Sequence, residues 1–442
     1  MKADGDFAEV IAFAWDGPAG AVSEAVRLLL LDSLGCMIAG LGHAAPRRFA
    51  DALAITMPGT VRLPGCTNGL SEAGAAAVLA AAMCWDEANE GLARAHGRPG
   101  LAVAPLCIAA LAAGRVSLQE ALAAFALGYE VAARAGEIWR IRPGMHVDGS
   151  WHALGAAAAA ARLAGGDAAE VARAIRLVSC QIPFALYAPI AAGMDGRNSY
   201  PAHAVLLGAM AAAAARAGMD APAHGLAEAR RIALGHEAPG ACAPAGEWLL
   251  AEAYIKPFAG VRHAHYAAAA ALQLRASLAE RLGDITAVRL ETYAEALRYA
   301  ANRAPERAIQ AQFSLSWAVA ASLGQGDLGP AAYTDAALAD AELRRLEALV
   351  ELAEDGALTR AEKRGARLIV TLADGARHQA SVGAIAGDPG LALDAAAVAA
   401  KCQRFAAPVI GDAAMARLVA LVLGTGDGVP RDFFGASAGQ QA

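Results

Sequence analysis

The chain has 442 residues, too many for one ordinary core, so two or three domains around a substantial interior are expected. Hydrophobic residues make up 57% and charged residues 18%, and much of the apolar share is alanine, which excludes a small polar module and favours a mostly helical protein. A formal net charge of -6, with no basic block interleaved with aromatics, gives no electrostatic reason to bind nucleic acid.

The N-terminal "MKADGDFAEV" is acidic where an export signal would be basic and then apolar, so no such signal is expected there. Residues 20–40 read as a helix buried along one side and closed by Gly40 and the "GLGHAAP" loop. Further helices are expected at 71–84, 101–113, 117–136, 153–164, 167–180, 201–217 and 225–234, most of them separated by Gly and Pro. The uncharged run "LVSCQIPFALYAPIAAGM" (177–194) is long enough to raise a membrane span, but Gln181, Pro183, Pro189 and Gly193 make it read as a buried, broken helix instead. No strand is convincing in the first 270 residues or so.

The pattern then changes. "DITAVRLETY" (284–293) alternates as a strand does, and "ARLIVTLADGARHQASV" (366–382) places Asp374-Gly375 between two strand-like runs, a hairpin signal. Helices are expected between them at 311–323 and 331–353, and after "GDPG" at 394–405 and 411–423; the last dozen residues should fray. The expected fold is therefore mostly α: a large all-helical domain over 1–267, a smaller α+β domain over 268–393, and a return to the first domain over 394–442.

Seven scattered cysteines never form CxxC or a zinc knuckle, which fits a reducing cytoplasm and no structural metal. Candidate chemistry is concentrated in a few places. In "WDEANEGLARAHG" (85–97), Asp86 and Glu87 follow a run almost free of charge, and on a helix Glu87 and Glu90 would share a face. His96 sits in a Gly- and Pro-containing loop, and His152 opens a helix so rich in alanine that its ring needs a partner or a purpose. Arg197 precedes another alanine-rich helix, where its guanidinium and the helix N-terminus can together hold a carboxylate. "YIKPFAGVRHAHYAAAA" packs Lys256, Arg262, His263 and His265 into ten residues. The i, i+2 spacing of its histidines suits a strand-borne metal pair, but no nearby acid or cysteine completes a ligand set, so the cluster reads as anion-binding and proton-handling. Together these residues equip a pocket to move protons on a small polycarboxylate.

Five segments in order resemble the MmgE/PrpD family: "LLLLDSLGCMIAG", "TNGLSEAGAAAVLAAAMCWDEANEGLARAHGRPG", "ALGYEVAARAG", "SWHALGAAAAAARLAGGD" and "QAQFSLSWAVAASLGQG". Family members include 2-methylcitrate dehydratase, cis-aconitate decarboxylase and iminodisuccinate epimerase. The resemblance implies catalytic roles for Asp86, His96, His152 and His265, and substrate binding by Arg197, Lys256, Arg262 and Trp317. It also implies a homodimer, reinforced by the flat faces of alanine-rich helices. The chain departs from the family pattern with Arg197 for a lysine, Trp317 for a tyrosine, Ala81 for a histidine and Cys84 for an aspartate. Arginine keeps the charge but cannot release a proton, which leaves anion binding as its role.

The expected activity is thus a lyase or isomerase, cytoplasmic and away from membranes, using no metal or cofactor. It would abstract a proton α to a carboxylate and then lose water, lose CO₂ or return the proton. His152 or His96, at an ordinary histidine pKa of ~6.5, would serve as acid and base. The alternatives are a non-catalytic binding or scaffold protein of the same fold and, from "DEANE", a Mg²⁺-dependent isoprenoid cyclase.

Overall fold

The computed structural model describes residues 2–3, 7–238, 240–388, 390–426 and 433–434, so most of the final stretch expected to fray lies outside the described residues. Among the described residues the first part is ordered by its longer helices, α1 (Ala8–Ala14), α2 (Gly20–Leu41), α3 (Ala44–Thr56), α4 (Glu72–Trp85), α5 (Ala104–Ala112), α6 (Leu118–Ile138), α7 (His152–Leu163), α8 (Ala168–Ser179) and α9 (Tyr200–Arg216). The starts of α4, α6 and α8 are fixed by Ser71, Ser117 and Asp167, whose side chains accept a free N–H of the first turn. Capping boxes with Glu120 and Glu170 complete the latter two.

Alanine sets how these helices pack. A Cβ on Gly40 of α2 would lie 2.0 Å from the Ala82 carbonyl of α4, and one on Gly155 of α7 would lie 2.5 Å from the Gly128 carbonyl of α6. The helices meet backbone to backbone, so small residues are required along the contacts. The α2 helix is held from both sides, by α4 on one and by helices from the end of the chain on the other.

The second part begins with α10 (Arg262–Leu278), which packs on α11 (Leu315–Gln325) and on a four-stranded sheet. That sheet contains β1 (Ile285–Thr292), β2 (Val350–Glu354), β3 (Ala366–Leu372) and β4 (Arg377–Val382) in the order β2-β1-β3-β4. The β1–β2 pair is parallel and the others are antiparallel. A parallel neighbour demands a long crossover, which carries α11 and α12 (Ala341–Leu349). Finally α13 (Ala395–Ile410) and α14 (Asp412–Leu423) lie against α2. The architecture is a large helical domain with a smaller α+β domain.

Several local expectations are corrected. The run expected as one helix over 331–353 breaks into short helices and ends in β2, because "VELAE" pairs beside β1. His263 and His265 lie on α10, where i, i+2 neighbours do not share a face, so they form no strand-borne pair. Short strands occur earlier than expected, at Pro58–Val61 and as a pairing of Lys2–Ala3 with Gly240–Ala241. Residues 180–187 are broken but not buried: Phe184 is 65% and Leu186 45% exposed. Among the described residues no single helix is long and apolar enough to cross a membrane; α2 and α3 pass that test only as a pair bent by 89°, and most of α2 is buried inside the protein.

Candidate functional site

The site is built on the end of α4. This helix is apolar all round and buried almost throughout, and it stops at Trp85. Asp86 leaves the helical region and Glu87 adopts φ 53°, a left-handed conformation unusual for a buried residue with a side chain. The turn is held by its own backbone. Four successive carbonyls, that of the last helical residue and the three that follow it, receive donors from distant parts of the chain. Gln312 Nε2 reaches Trp85 O at 2.9 Å, Gly260 N reaches Asp86 O at 2.9 Å, Lys256 Nζ reaches Glu87 O at 2.6 Å, and Lys401 Nζ reaches Ala88 O at 2.7 Å. Two of these donors are cations at a helix C-terminus, which also suits the helix dipole.

The turn aims Glu87 into a buried charged group. Its carboxylate contacts Arg197 closely, Arg98 at 3.2 Å and Lys256 at 3.5 Å. Asp148, four residues before α7 begins at His152, is bound by Arg98 and lies 3.1 Å from Arg197. Cys84 Sγ accepts from Arg197 Nη1 at 2.9 Å and from Arg98 Nη2 at 3.3 Å. Three cations therefore face two carboxylates, leaving one excess positive charge out of water.

Burial opposes ionisation of both acids, but the guanidinium groups and Lys256 outweigh it at Glu87, and Arg98, His146 and Arg197 do so at Asp148, so both are held well below the usual carboxylate range. Burial pulls Lys256 down to about 8 despite the attraction of Glu87. Burial raises the Cys84 thiol, with the two guanidinium groups opposing it. Cys84, Glu87 and Asp148 bring ligand atoms within 4.8 Å of one another, as a metal site would. The arginines already donate to those same three side chains, so the donor set is that of an ion-pair network.

Asp86 faces elsewhere. Its Oδ1 lies 2.8 Å from His43 Nε2, and its Oδ2 is buried without a partner. Burial alone would lower the His43 pKa, but the Asp86 charge and hydrogen bond raise it instead. Glu90 turns a third way, accepting from Gly100 N at 2.9 Å and Tyr129 OH at 3.0 Å, and burial pushes its carboxyl up to about 7. Asp86, Glu87 and Glu90 thus have three separate sets of partners, and the shared helix face expected for Glu87 and Glu90 does not form because the helix stops at Trp85.

His152 is fully buried at the start of α7, stacked on Trp151 with ring centroids 3.8 Å apart; its ring has no side-chain hydrogen-bond partner, and the Arg98 backbone lies near enough to favour its protonated form slightly. Burial lowers its pKa to about 3, so the expected ordinary value is corrected and the ring is neutral at pH 7. Asp148 is near enough to oppose that shift, which puts His152 beside the charged group. His265 is also buried and neutral, with Nε2 directed at Gly260 O (3.1 Å), so it supports the residue that holds Asp86 O.

Three expected site residues lie apart. His96 is exposed in its loop at φ 51°, and its pKa is lowered by partial burial and by Arg140, not left at the ordinary value. Arg262 lies over the Tyr254 ring (3.9 Å) and is paired with Asp388 through Nη2, while its Nη1 is buried without a partner. Trp317 is sealed in the core, with Nε1 donating to Ala332 O at 2.9 Å; a side chain with no exposure and its one polar atom occupied has no contact left for a substrate. In contrast His43, Arg98, His146 and Asp148 are not among the residues expected from the sequence, and Glu87 is expected there only as an acid sharing a helix face with Glu90. "GRPG" and "MHVDGSW" carry charge in a charge-poor chain, the one signal that would have found Arg98 and Asp148.

A pocket of about 280 Å³ opens where the two parts of the chain meet. Trp85 and Asn198, neighbours of Asp86 and Arg197, form one wall, and Arg307 and Gln312 form the other. Asn198 Oδ1, Gln312 Oε1 and two nitrogens of Arg197 are buried without partners. Polar atoms left so are expensive unless a ligand or water satisfies them.

Two family models match the chain: the MmgE/PrpD N-terminal domain over residues 6–235 and the MmgE/PrpD C-terminal domain over residues 258–425. No curated protein matches it.

Proposed function

The chain belongs to the MmgE/PrpD family, a family that includes lyases, and from that premise we propose that it is a cofactor-independent lyase or isomerase acting on a small di- or tricarboxylate. The observation that carries the reading is the seat of Glu87: a carboxylate bound by Arg98, Arg197 and Lys256 beside a pocket large enough for a small acid. A substrate carboxylate in that pocket would be drawn toward Arg197, which does not line it but adjoins Asn198 and has Nε and Nη2 without partners. Removing the proton α to it creates a second negative charge, which fixed donors stabilise by ~3 kcal/mol each when well placed. Arg197 and Lys256 fill that role.

Proton transfer falls to the His43–Asp86 pair. With its pKa raised, His43 is more fully protonated near neutral pH and so has a proton to give, while Asp86 is an acceptor with a free oxygen. His152, neutral and weakly basic, accepts a proton only while the neighbouring Asp148 charge supports it. Loss of water and return of the proton begin from proton removal; loss of CO₂ would instead break the C–C bond to a carboxylate, leave its electron pair on carbon, and take the proton that His43 holds. Incubation in D₂O with a panel of di- and tricarboxylates, followed by NMR, tests the reading; no deuterium in any acid at millimolar protein would refute it.

One feature favours a non-catalytic binding protein instead: Arg98 and Arg197 already carry two internal carboxylates, which closes the group. Tight carboxylate binding without label would select that alternative. A homodimer and a cytoplasmic location belong to the same proposal. The exposed apolar Phe184, Leu186 and Met194 supply surface for pairing, all seven cysteines are free, and sedimentation at micromolar concentration tests the pairing.

A further inference from the structure

We infer that Lys401, near the end of the chain, is a positioning residue for the turn that carries Asp86 and Glu87. The inference rests on the proposed reaction only where turnover is concerned. Lys401 lies on α13, its side chain is 4% exposed, and its ammonium has two oxygen partners, Asp32 Oδ1 on α2 and the Ala88 carbonyl. Asp32 is wholly buried, and the Glu90 backbone N–H approaches the same carboxylate and lowers its pKa, although burial dominates and raises it. One ion pair therefore brackets the backbone of residues 88–90, with its cation on a carbonyl and its anion facing an N–H.

Helix packing does not require these charges. A buried ion pair forfeits the hydration of both partners, and two apolar side chains of similar size fill such a space as well or better. What an apolar pair cannot do is hold the Ala88 carbonyl. That carbonyl follows directly on Glu87, whose left-handed backbone persists only while its surroundings fix it. Once released, Glu87 can relax toward negative φ, which swings its carboxylate away from Arg98, Arg197 and Lys256. The close approach of α2 and α13 gives the clamp a rigid base: a Cβ on Gly35 would lie 2.7 Å from Cys402 Sγ.

The test compares wild type, Lys401→Met, Lys401→Arg and the double variant Asp32→Leu/Lys401→Met. The single Met variant strands a buried carboxylate and should lose stability, whereas the double variant removes both charges and should melt near wild type. Amide hydrogen exchange is followed by mass spectrometry. We expect peptides covering 85–92 to exchange at least ten-fold faster in the double variant, with peptides from α2, α6 and α13 unchanged, and Lys401→Arg to restore part of the protection. Where the wild type labels an acid in D₂O, the double variant should lose at least ten-fold in kcat with KM within about three-fold. Wild-type protection at 85–92 in the double variant overturns the inference, and so does an equal loss of protection everywhere, which would make the pair a structural support alone. If wild type labels no acid, the proposed reaction fails while the amide data still decide the role of Lys401.

Discussion

His43 and Asp86 face each other across 2.8 Å, joining the start of α3 to the end of α4. Asn at position 43 can keep a hydrogen bond to the carboxylate but cannot carry a proton. His43→Asn should therefore lower α-proton exchange by ~10²-fold, the usual worth of a positioned acid or base. The His43 side chain is 21% exposed, so the fold should survive. The folded pKa of His43 is raised, so the pair's stabilisation is fully present below the unfolded value of ~6.5 and is lost as pH rises through the folded one. Thermal melts of wild type and variant should consequently differ at pH 6 and converge at pH 9.

Glu87→Gln removes one of two carboxylates that balance three cations. Breaking such a buried network typically costs ~3–5 kcal/mol. An added small dicarboxylate such as malonate should recover part of that loss, so its effect on Tm should be larger for the variant than for wild type. Equal shifts would mean that the cations cannot receive an external carboxylate.

His152→Leu separates packing from chemistry. The ring has no side-chain hydrogen-bond partner and only the nearby Arg98 backbone to lose, so the stability cost should stay within about 1.5 kcal/mol, the net worth of one hydrogen bond. If the ring takes part in proton transfer, kcat for exchange should fall by ~10²-fold. A folded variant with wild-type exchange would remove His152 from the mechanism.

Glu90 should make the protein less stable toward alkaline pH. Its pKa is raised from 4.5 to about 7, so the folded state binds more protons than the unfolded one in that window, and stability falls as pH rises through it. Glu90→Gln keeps an acceptor for Gly100 N and a partner for Tyr129 OH without the charge. It should gain up to about 3 kcal/mol over wild type at pH 8 and lose the advantage at pH 4, as urea melts at the two values would show.

The helical half was legible because its periodic apolar runs end at Gly and Pro, and α4, α6, α7 and α8 lie within a residue or two of their expected spans. The strands β1, β3 and β4 were legible from alternation and the Asp374-Gly375 turn. β2 was not, since it follows α12 with no breaker between them. The site divided in the same way. Asp86, His152, Arg197 and Lys256 stood out as polar residues in apolar surroundings. His43 and Asp148 were missed because their roles arise from contacts with residues 43 and 49 positions away, which local spacing does not record. Trp317 misled for the converse reason: a residue type at a matching position says nothing of which neighbours have already claimed its one polar atom.

The backbone-to-backbone contacts at Gly40, Gly128, Gly155 and Gly208 also constrain how this chain can change over time. A Cβ at any of them would lie under 3 Å from main-chain atoms of a neighbouring helix, and main chain cannot step aside as a flexible side chain does. Sequence drift in the helical domain is therefore confined to exchanges among the smallest residues inside and to free variation outside. Lineages of this chain should diverge mainly on their surfaces, while the helix that ends at Trp85 keeps its place to within a fraction of an ångström.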